Sequence, residues 1–173
     1  MLFSVLLSLY HKESPLFLRQ SLTSIFTQTL LPIEVVLVED GPLTDELYAV
    51  IKEFTSRYPK LKVISLPTNQ GLGKALNEGL KHCSYDLVAR MDTDDIAKPN
   101  RFEKQLEIFK NHSKIDIVSS WIDEFEGDIT HIISIRKVPE FHKDIYKYAK
   151  KRCPINHPAV MFRKSTVLAA GGY

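Results

Sequence analysis

"VARMDTDDIAKPNRF", residues 88–102, decides how the rest of the chain is read. An apolar run ends in Asp92, Asp94 and Asp95, three carboxylates within four positions. At about 6 Å, two like charges repel by roughly 0.7 kcal/mol in water and by about 3 kcal/mol in a partly enclosed site, so a positive partner is expected nearby. With "DLVARM", residues 86–91, as a strand, the acids stand at its carboxyl end. That is where an open parallel sheet binds ligands, which makes the direction of the other strands the first question.

Working back from Asp92, the chain alternates. Phe3–Leu9 is a short apolar run, and Ser14 with Pro15 then suits the start of a helix carrying Leu18, Leu22, Ile25 and Phe26. "IEVVLVED", residues 33–40, is β-branched and too short for a helix. Leu47, Val50, Ile51 and Phe54 mark a second helix, "LKVISL" (61–66) a third strand, and Leu72, Ala75, Leu76, Leu80 and Cys83 a third helix. Strands apolar on both faces and separated by helices predict a mostly parallel α/β sheet with helices on both faces. Pro99 is expected to open a fourth helix bearing Phe102, Leu106 and Phe109. Beyond it the rhythm changes. "DIVSSWIDEF" and "HIISIRKV" read as paired strands around "EGD", Phe141 to Lys151 as a helix, and "HPAVMFRK" as a last strand.

The bulk properties set limits. A length of 173 residues with 44% hydrophobic content fits one domain, and a net charge of +2 from 23 basic and 21 acidic residues gives no reason to expect nucleic acid. Cys83 and Cys153 lie 70 residues apart without a CxxC or Cys/His cluster, so neither a zinc site nor a disulfide framework is indicated, and a reducing, cytoplasmic setting is expected. "MLFSVLLSLYHKE" lacks a basic leader region and the length of a membrane span, and reads as a buried first strand.

The strand ends carry "SLYHKE", "EDGP", "TNQGLGKALN" and "DTDD". Gly71, Gly73 and Lys74 do not form a P-loop, because Thr68 stands where its first glycine belongs and Ala75 where its Ser or Thr belongs. A dinucleotide fingerprint fails at Leu76. What remains is a glycine-led helix start, either an anion site or an ordinary helix entry. Side chains at i and i+2 of an extended segment share a side, so Asp92 and Asp94 are expected to converge on a cation, Mg²⁺ or Mn²⁺, with Asp95 facing away; the alternative is that the aspartates cap the fourth helix or occupy a solvated turn.

Taken in order, "FSVLLSLYHKE", "SIFTQTL", "EVVLVEDG", "NQGLGKALNEGL", "ARMDTDDIAKPNRF", "NHPAVMFRK" and "GGY" resemble the N-terminal part of a family 2 glycosyltransferase with the GT-A fold, of the bacterial surface-polysaccharide type. The resemblance covers essentially the whole chain. It implies an inverting transfer of a sugar from a nucleoside diphosphate, a UDP-sugar by preference, to a glycan or lipid-linked acceptor hydroxyl. It also implies Asp92, Thr93 and Asp94 as the DxD, with Asp92 near ribose and metal and Asp94 a metal ligand; Asp95 orients either partner or caps the next turn. Ser8, Tyr10 and Asp40 become candidates for holding the base, with Asp40 accepting the uracil N3–H or merely forming a DG turn. Lys74, Asn77 and Arg90 are candidates for lining the donor site, and Arg101 reads as a helix-face ion-pair partner. His157 is expected to border the acceptor cleft.

In relatives the general base belongs to an "ED" motif after a segment like "GGY", and no residue here matches it. The base is therefore expected beyond Tyr173, and residues 1–173 to be a donor-binding portion truncated before its acceptor side. A non-catalytic nucleotide-sugar-binding module is the alternative. Glu13 would have to serve a phosphotransferase reading, which the position of the DxD disfavours. Peripheral contact with the inner membrane face and self-association through uncovered apolar surface complete the expectations.

Overall fold

The computed structural model describes residues 1–173. In chain order the first half runs β1 (Phe3–Leu9), α1 (Pro15–Phe26), β2 (Glu34–Glu39), α2 (Asp45–Arg57), β3 (Leu61–Ser65), α3 (Leu72–His82) and β4 (Leu87–Arg90). The second half adds α4 (Arg101–Asn111), β5 (Ile117–Val118), β6 (Ile122–Phe125), β7 (Ile132–Arg136), α5 (His142–Ala149), β8 (Met161–Arg163) and α6 (Lys164–Ala169). The main sheet has the order β3-β2-β1-β4-β8-β5; the first four strands are parallel, and β8 pairs antiparallel with β4 and β5.

Side-chain alternation along the central strands explains why both faces are covered. Phe3, Val5, Leu7 and Leu9 of β1 enter a cluster of 23 buried residues with α1, α2 and α4. Leu6 points the other way, joining Val36, Val38 and the Ala75, Leu76 and Leu80 stripe of α3 in a second cluster of 10. On that second face α3 lies close to the sheet, because a Cβ on Gly79 would stand 2.4 Å from Leu6 Cδ1 and 2.7 Å from Val38 Cγ2.

The chain steps from β1 to β2 and β3 on one side, then crosses back to β4 on the other side of β1. The β1/β4 boundary is thus a topological switch point, and the loops at its carboxyl end are splayed apart. The expected strand and helix alternation is present. The differences lie at prolines and in the second half. α4 begins at Arg101 rather than Pro99, since Pro99 and Asn100 form a turn closed by Arg101 N–H donating to Lys98 O. Pro158 sits in a 3₁₀ turn (His157–Ala159), which shortens the expected "HPAVMFRK" strand to Met161–Arg163. "DIVSSWIDEF" splits, with Ile117–Val118 in the main sheet and Ile122–Phe125 paired to β7 in a separate hairpin.

Candidate functional site

At the carboxyl ends of β1 to β4 a crevice of about 360 Å³ is lined by Ser8, Tyr10, Glu13, Asp40, Asn69, Gly71, Leu72, Asp92, Thr93 and Asp94. The volume is in the range that takes a small ligand. Asp40, 2% exposed, ends β2 and turns its carboxylate onto the loop after β3, where Oδ1 accepts Gln70 N–H at 2.7 Å and Oδ2 accepts Gly71 N–H at 2.9 Å. Gly41 allows that loop to approach: its φ is +86°, and a Cβ there would meet Asn69 N at 2.6 Å.

The acidic cluster is built on β4. Met91 N–H still donates to Leu6 O, so the strand register carries on just past β4. At Thr93 and Asp94 the backbone turns, and this ends the extended geometry. Asp95 consequently does not face away: the carboxylates of Asp92, Asp94 and Asp95 offer oxygens within 4.8 Å of one another. The expectation of two convergent acids is corrected to three. Ser21 of α1 donates to Asp92 O at 3.0 Å and Thr93 Oγ1 to Ser8 O at 3.5 Å, tying the turn to β1 and α1.

The positive partners lie beneath the acids. Arg90, 1% exposed, grips Asp92 with both terminal nitrogens, Nη1 donating to Oδ2 at 2.7 Å and Nη2 to Oδ1. Arg90 therefore supports the crevice floor rather than lining its wall. Its Nε is buried without a partner. Arg101, expected on the outer face of a helix, is instead the first residue of α4 and folds back under β4; Nη2 donates to Arg90 O at 2.7 Å and Nε to Gln105 Oε1 at 3.3 Å. Burial pulls its guanidinium down to about 10, partly offset by Asp95.

Charge remains unbalanced even so. Burial, then Asp92 and Asp94, push the Asp95 carboxyl up to about 6 despite Arg90 and Arg101. Burial and the same two aspartates also raise Glu13, which lies in the "SLYHKE" strand end and joins the crevice without having been a candidate for the donor site. Several short carboxylates with a surplus of negative charge and oxygen-only donors suit a hard divalent cation such as Mg²⁺ or Mn²⁺, so the residues present fit such an ion.

Ser8, Tyr10, Asp40, Asp92, Thr93 and Asp94 thus come together, and Lys74 and Asn77 do not join them. Lys74 is exposed on the first turn of α3. The Asn77 amide is engaged by the segment after α6: Nδ2 donates to Tyr173 O and Oδ1 accepts Tyr173 N–H, both at 2.8 Å. Gly172 is needed there, since a Cβ would stand 2.5 Å from Asn77 Oδ1. The His157 ring lies 5.4 Å from the Tyr173 ring and tilted 55° to it, and burial, then the nearby Arg90, lower its pKa against the pull of Asp92. Asp123 pairs with Lys98 at 2.5 Å, on the hairpin side.

Residues 4–168 match the family described as Glycosyl transferase family 2. The chain belongs to that family. An uncharacterized glycosyltransferase of Haemophilus influenzae is 50% identical over 173 residues, covering 100% of this chain and 64% of that protein. A UDP-Gal:alpha-D-GlcNAc-diphosphoundecaprenol beta-1,3-galactosyltransferase of Escherichia coli is 46% identical over 171 residues, covering 99% of this chain and 62% of that protein. The chain therefore spans somewhat under two-thirds of these family members. Among solved structures, S. aureus TarS 1-349 in complex with UDP superposes with a TM-score of 0.72 at 22% identity over 98% of this chain and 49% of that one. The mannosyltransferase PcManGT from Pyrobaculum calidifontis, in complex with GDP-Man and Mn2+, gives 0.69 at 17% identity over 99% and 47%. These likenesses establish the GT-A fold of the family for this chain.

Proposed function

We propose that residues 1–173 form the donor-binding part of an inverting glycosyltransferase that takes a sugar from a UDP-sugar and, with a divalent cation, passes it to the hydroxyl of a glycan or lipid-linked acceptor. The observation that carries this reading is the convergence of Asp92, Asp94 and Asp95 at the switch-point crevice, a few residues from the loop that Asp40 anchors. Tyr10, Ser8 and Asp40 line the end of the crevice suited to a base, with Tyr10 offering a ring face and Asp40 its remaining lone pairs to an N–H. Asp92 and Asp94 would hold the cation, Asp92 kept in place by Arg90. When bound, the cation neutralises charge developing on the departing diphosphate.

Inversion also needs a base for the acceptor proton. The resemblance implies that this base belongs to an "ED" motif, and we propose that it lies in the part of the family members, about a third of their length, that residues 1–173 do not cover. His157, next to Tyr173 and close enough to Arg90 and Asp92 to feel both, is assigned to the acceptor side. The galactosyltransferase relative, named for UDP-Gal and a diphosphoundecaprenol acceptor, supports a UDP-sugar and a lipid-linked acceptor. Calorimetry of UDP binding tests the reading: affinity rises when Mn²⁺ is added to the native protein and does not rise in Asp94→Ala. Equal, metal-independent affinity in both proteins removes the site.

A further inference from the structure

The floor of the acid cluster and the His157 turn meet along one buried seam, the β4–β8 pairing, with the start of α4 bridging its two sides. That helix start is held by α1: Gln28, 5% exposed, accepts Phe102 N–H at 3.3 Å and donates to Lys98 O at 2.8 Å. Arg101 lies on the seam itself. Its Nη2 donates to Arg90 O at 2.7 Å and to Val160 O at 3.3 Å, one carbonyl on the strand that delivers the acids and one just after the His157 turn. Its Nε donates to Gln105 Oε1, and Gln105, 4% exposed, donates onward from Nε2 to Ala159 O, the last residue of that turn, at 2.8 Å. A two-residue brace thus runs from β4 to the turn.

Packing alone does not call for a guanidinium here. The hydrogen bonds of the Arg101 side chain go to neutral oxygens. A buried charge with neutral partners is costly, and Gln105 shows that an amide can hold a carbonyl at this seam. The charge answers the acids through space, since Asp95 and Asp92 attract it while Arg90 repels it. A divalent cation among the acids would cancel that attraction and leave the carbonyls and Gln105 as the partners of the fork. The seam is also not fully satisfied: Arg90 Nε is buried without a partner, so a rearrangement there has a hydrogen bond to gain.

We propose that Arg101 and Gln105 are positioning residues that couple the filling of the acid cluster to the order of the His157 turn, so that cation and nucleotide on one side firm the segment assigned to the acceptor on the other. This coupling presupposes the donor site, yet neither residue lines the crevice. Both act through backbone carbonyls, those of Arg90, Val160 and Ala159. Lysine cannot stand in for the arginine, because one ammonium has no rigid fork to span Gln105 and two carbonyls.

Hydrogen exchange read by mass spectrometry, with and without Mn²⁺ and UDP, tests the coupling on the native protein, on Gln105→Met and on Arg101→Lys, which keeps a cation at the position. In the native protein the two ligands together are expected to slow exchange across residues 156–160 by about fivefold or more. In both variants that slowing is lost, and the calorimetric affinity for UDP in the presence of Mn²⁺ falls by about the same factor, because coupling is reciprocal. A brace with only a structural role would speed exchange equally with and without ligands and leave the slowing intact. That result overturns the proposal, as does a native protein that binds UDP with Mn²⁺ and shows no slowing at 156–160; in both cases the donor site stands. Absence of metal-dependent UDP binding to the native protein removes the donor site and the coupling together.

Discussion

Asp95→Asn is expected to stabilise the ligand-free protein while weakening its response to metal and nucleotide. Burial and the two neighbouring aspartates push the Asp95 carboxyl from its ordinary 3.8 up to about 6, a net that already includes the attraction of Arg90 and Arg101. A raised carboxyl pKa means that the folded state holds this proton more tightly than the unfolded chain does. Its contribution is therefore intact below the unfolded value near 3.8 and is lost as pH rises through about 6. A two-unit gap corresponds to about 3 kcal/mol at full effect, and partial exposure of the side chain reduces this to about 1–2 kcal/mol. For a domain of this size each kcal/mol moves the melting temperature by about 2–4 °C. Differential scanning fluorimetry at about pH 7.5 should show Asp95→Asn melting roughly 3–6 °C above the native protein, and the gap should close towards about pH 3, below the unfolded value, where Asp95 is protonated in both states. Mn²⁺ with UDP should reverse the order, because a bound cation relieves the repulsion that the substitution removes. An unchanged melting temperature at neutral pH, or an equal gain at both pH values, would refute the electrostatic reasoning.

Two further substitutions test the fold and the loop. Gly79→Ala, although favourable to helix propensity, drives a methyl into Leu6 and Val38 on the sheet and is expected to cost about 1–3 kcal/mol in urea unfolding, with UDP affinity little changed. Asp40→Ala releases the Gln70 and Gly71 N–H groups, so faster hydrogen exchange is expected across residues 69–72 together with a fall of about tenfold or more in UDP affinity; exchange unchanged in that segment would count against the anchoring role.

The first half of the fold is legible because its signals are local. "EVVLVE" can be little other than a strand buried on both faces, and the Ala75, Leu76 and Leu80 stripe fixes which side of α3 meets it. The acids of "DTDD" are equally plain, but their geometry is not. Extended alternation predicts two convergent carboxylates, whereas the turn at Thr93 and Asp94 brings in the third. The place of Arg101 is hidden for a similar reason: as the first residue of α4 it belongs to no helical stripe, and its partners Arg90 and Val160 are brought close only by the β4–β8 pairing. Asn77 finds its partner 96 residues away, a contact that no sequence periodicity reports. Glu13 reaches the crevice by way of the loop after β1, whose path is set by the switch point rather than by its own residues. The hairpin was expected as a pair of strands, but its exposure on every residue of β7 is a property of how little packs on it.

In the proposed function, Asp92 and Asp94, with Asp95 beside them, would complete a cation site together with diphosphate oxygens. Crystals grown with Mn²⁺ and UDP, measured for anomalous scattering at the manganese edge, test it most directly. A single strong peak is expected within direct coordination distance of Asp94 and Asp92 and of both UDP phosphates. A peak elsewhere, or UDP ordered in the crevice with no peak beside those aspartates, would contradict it.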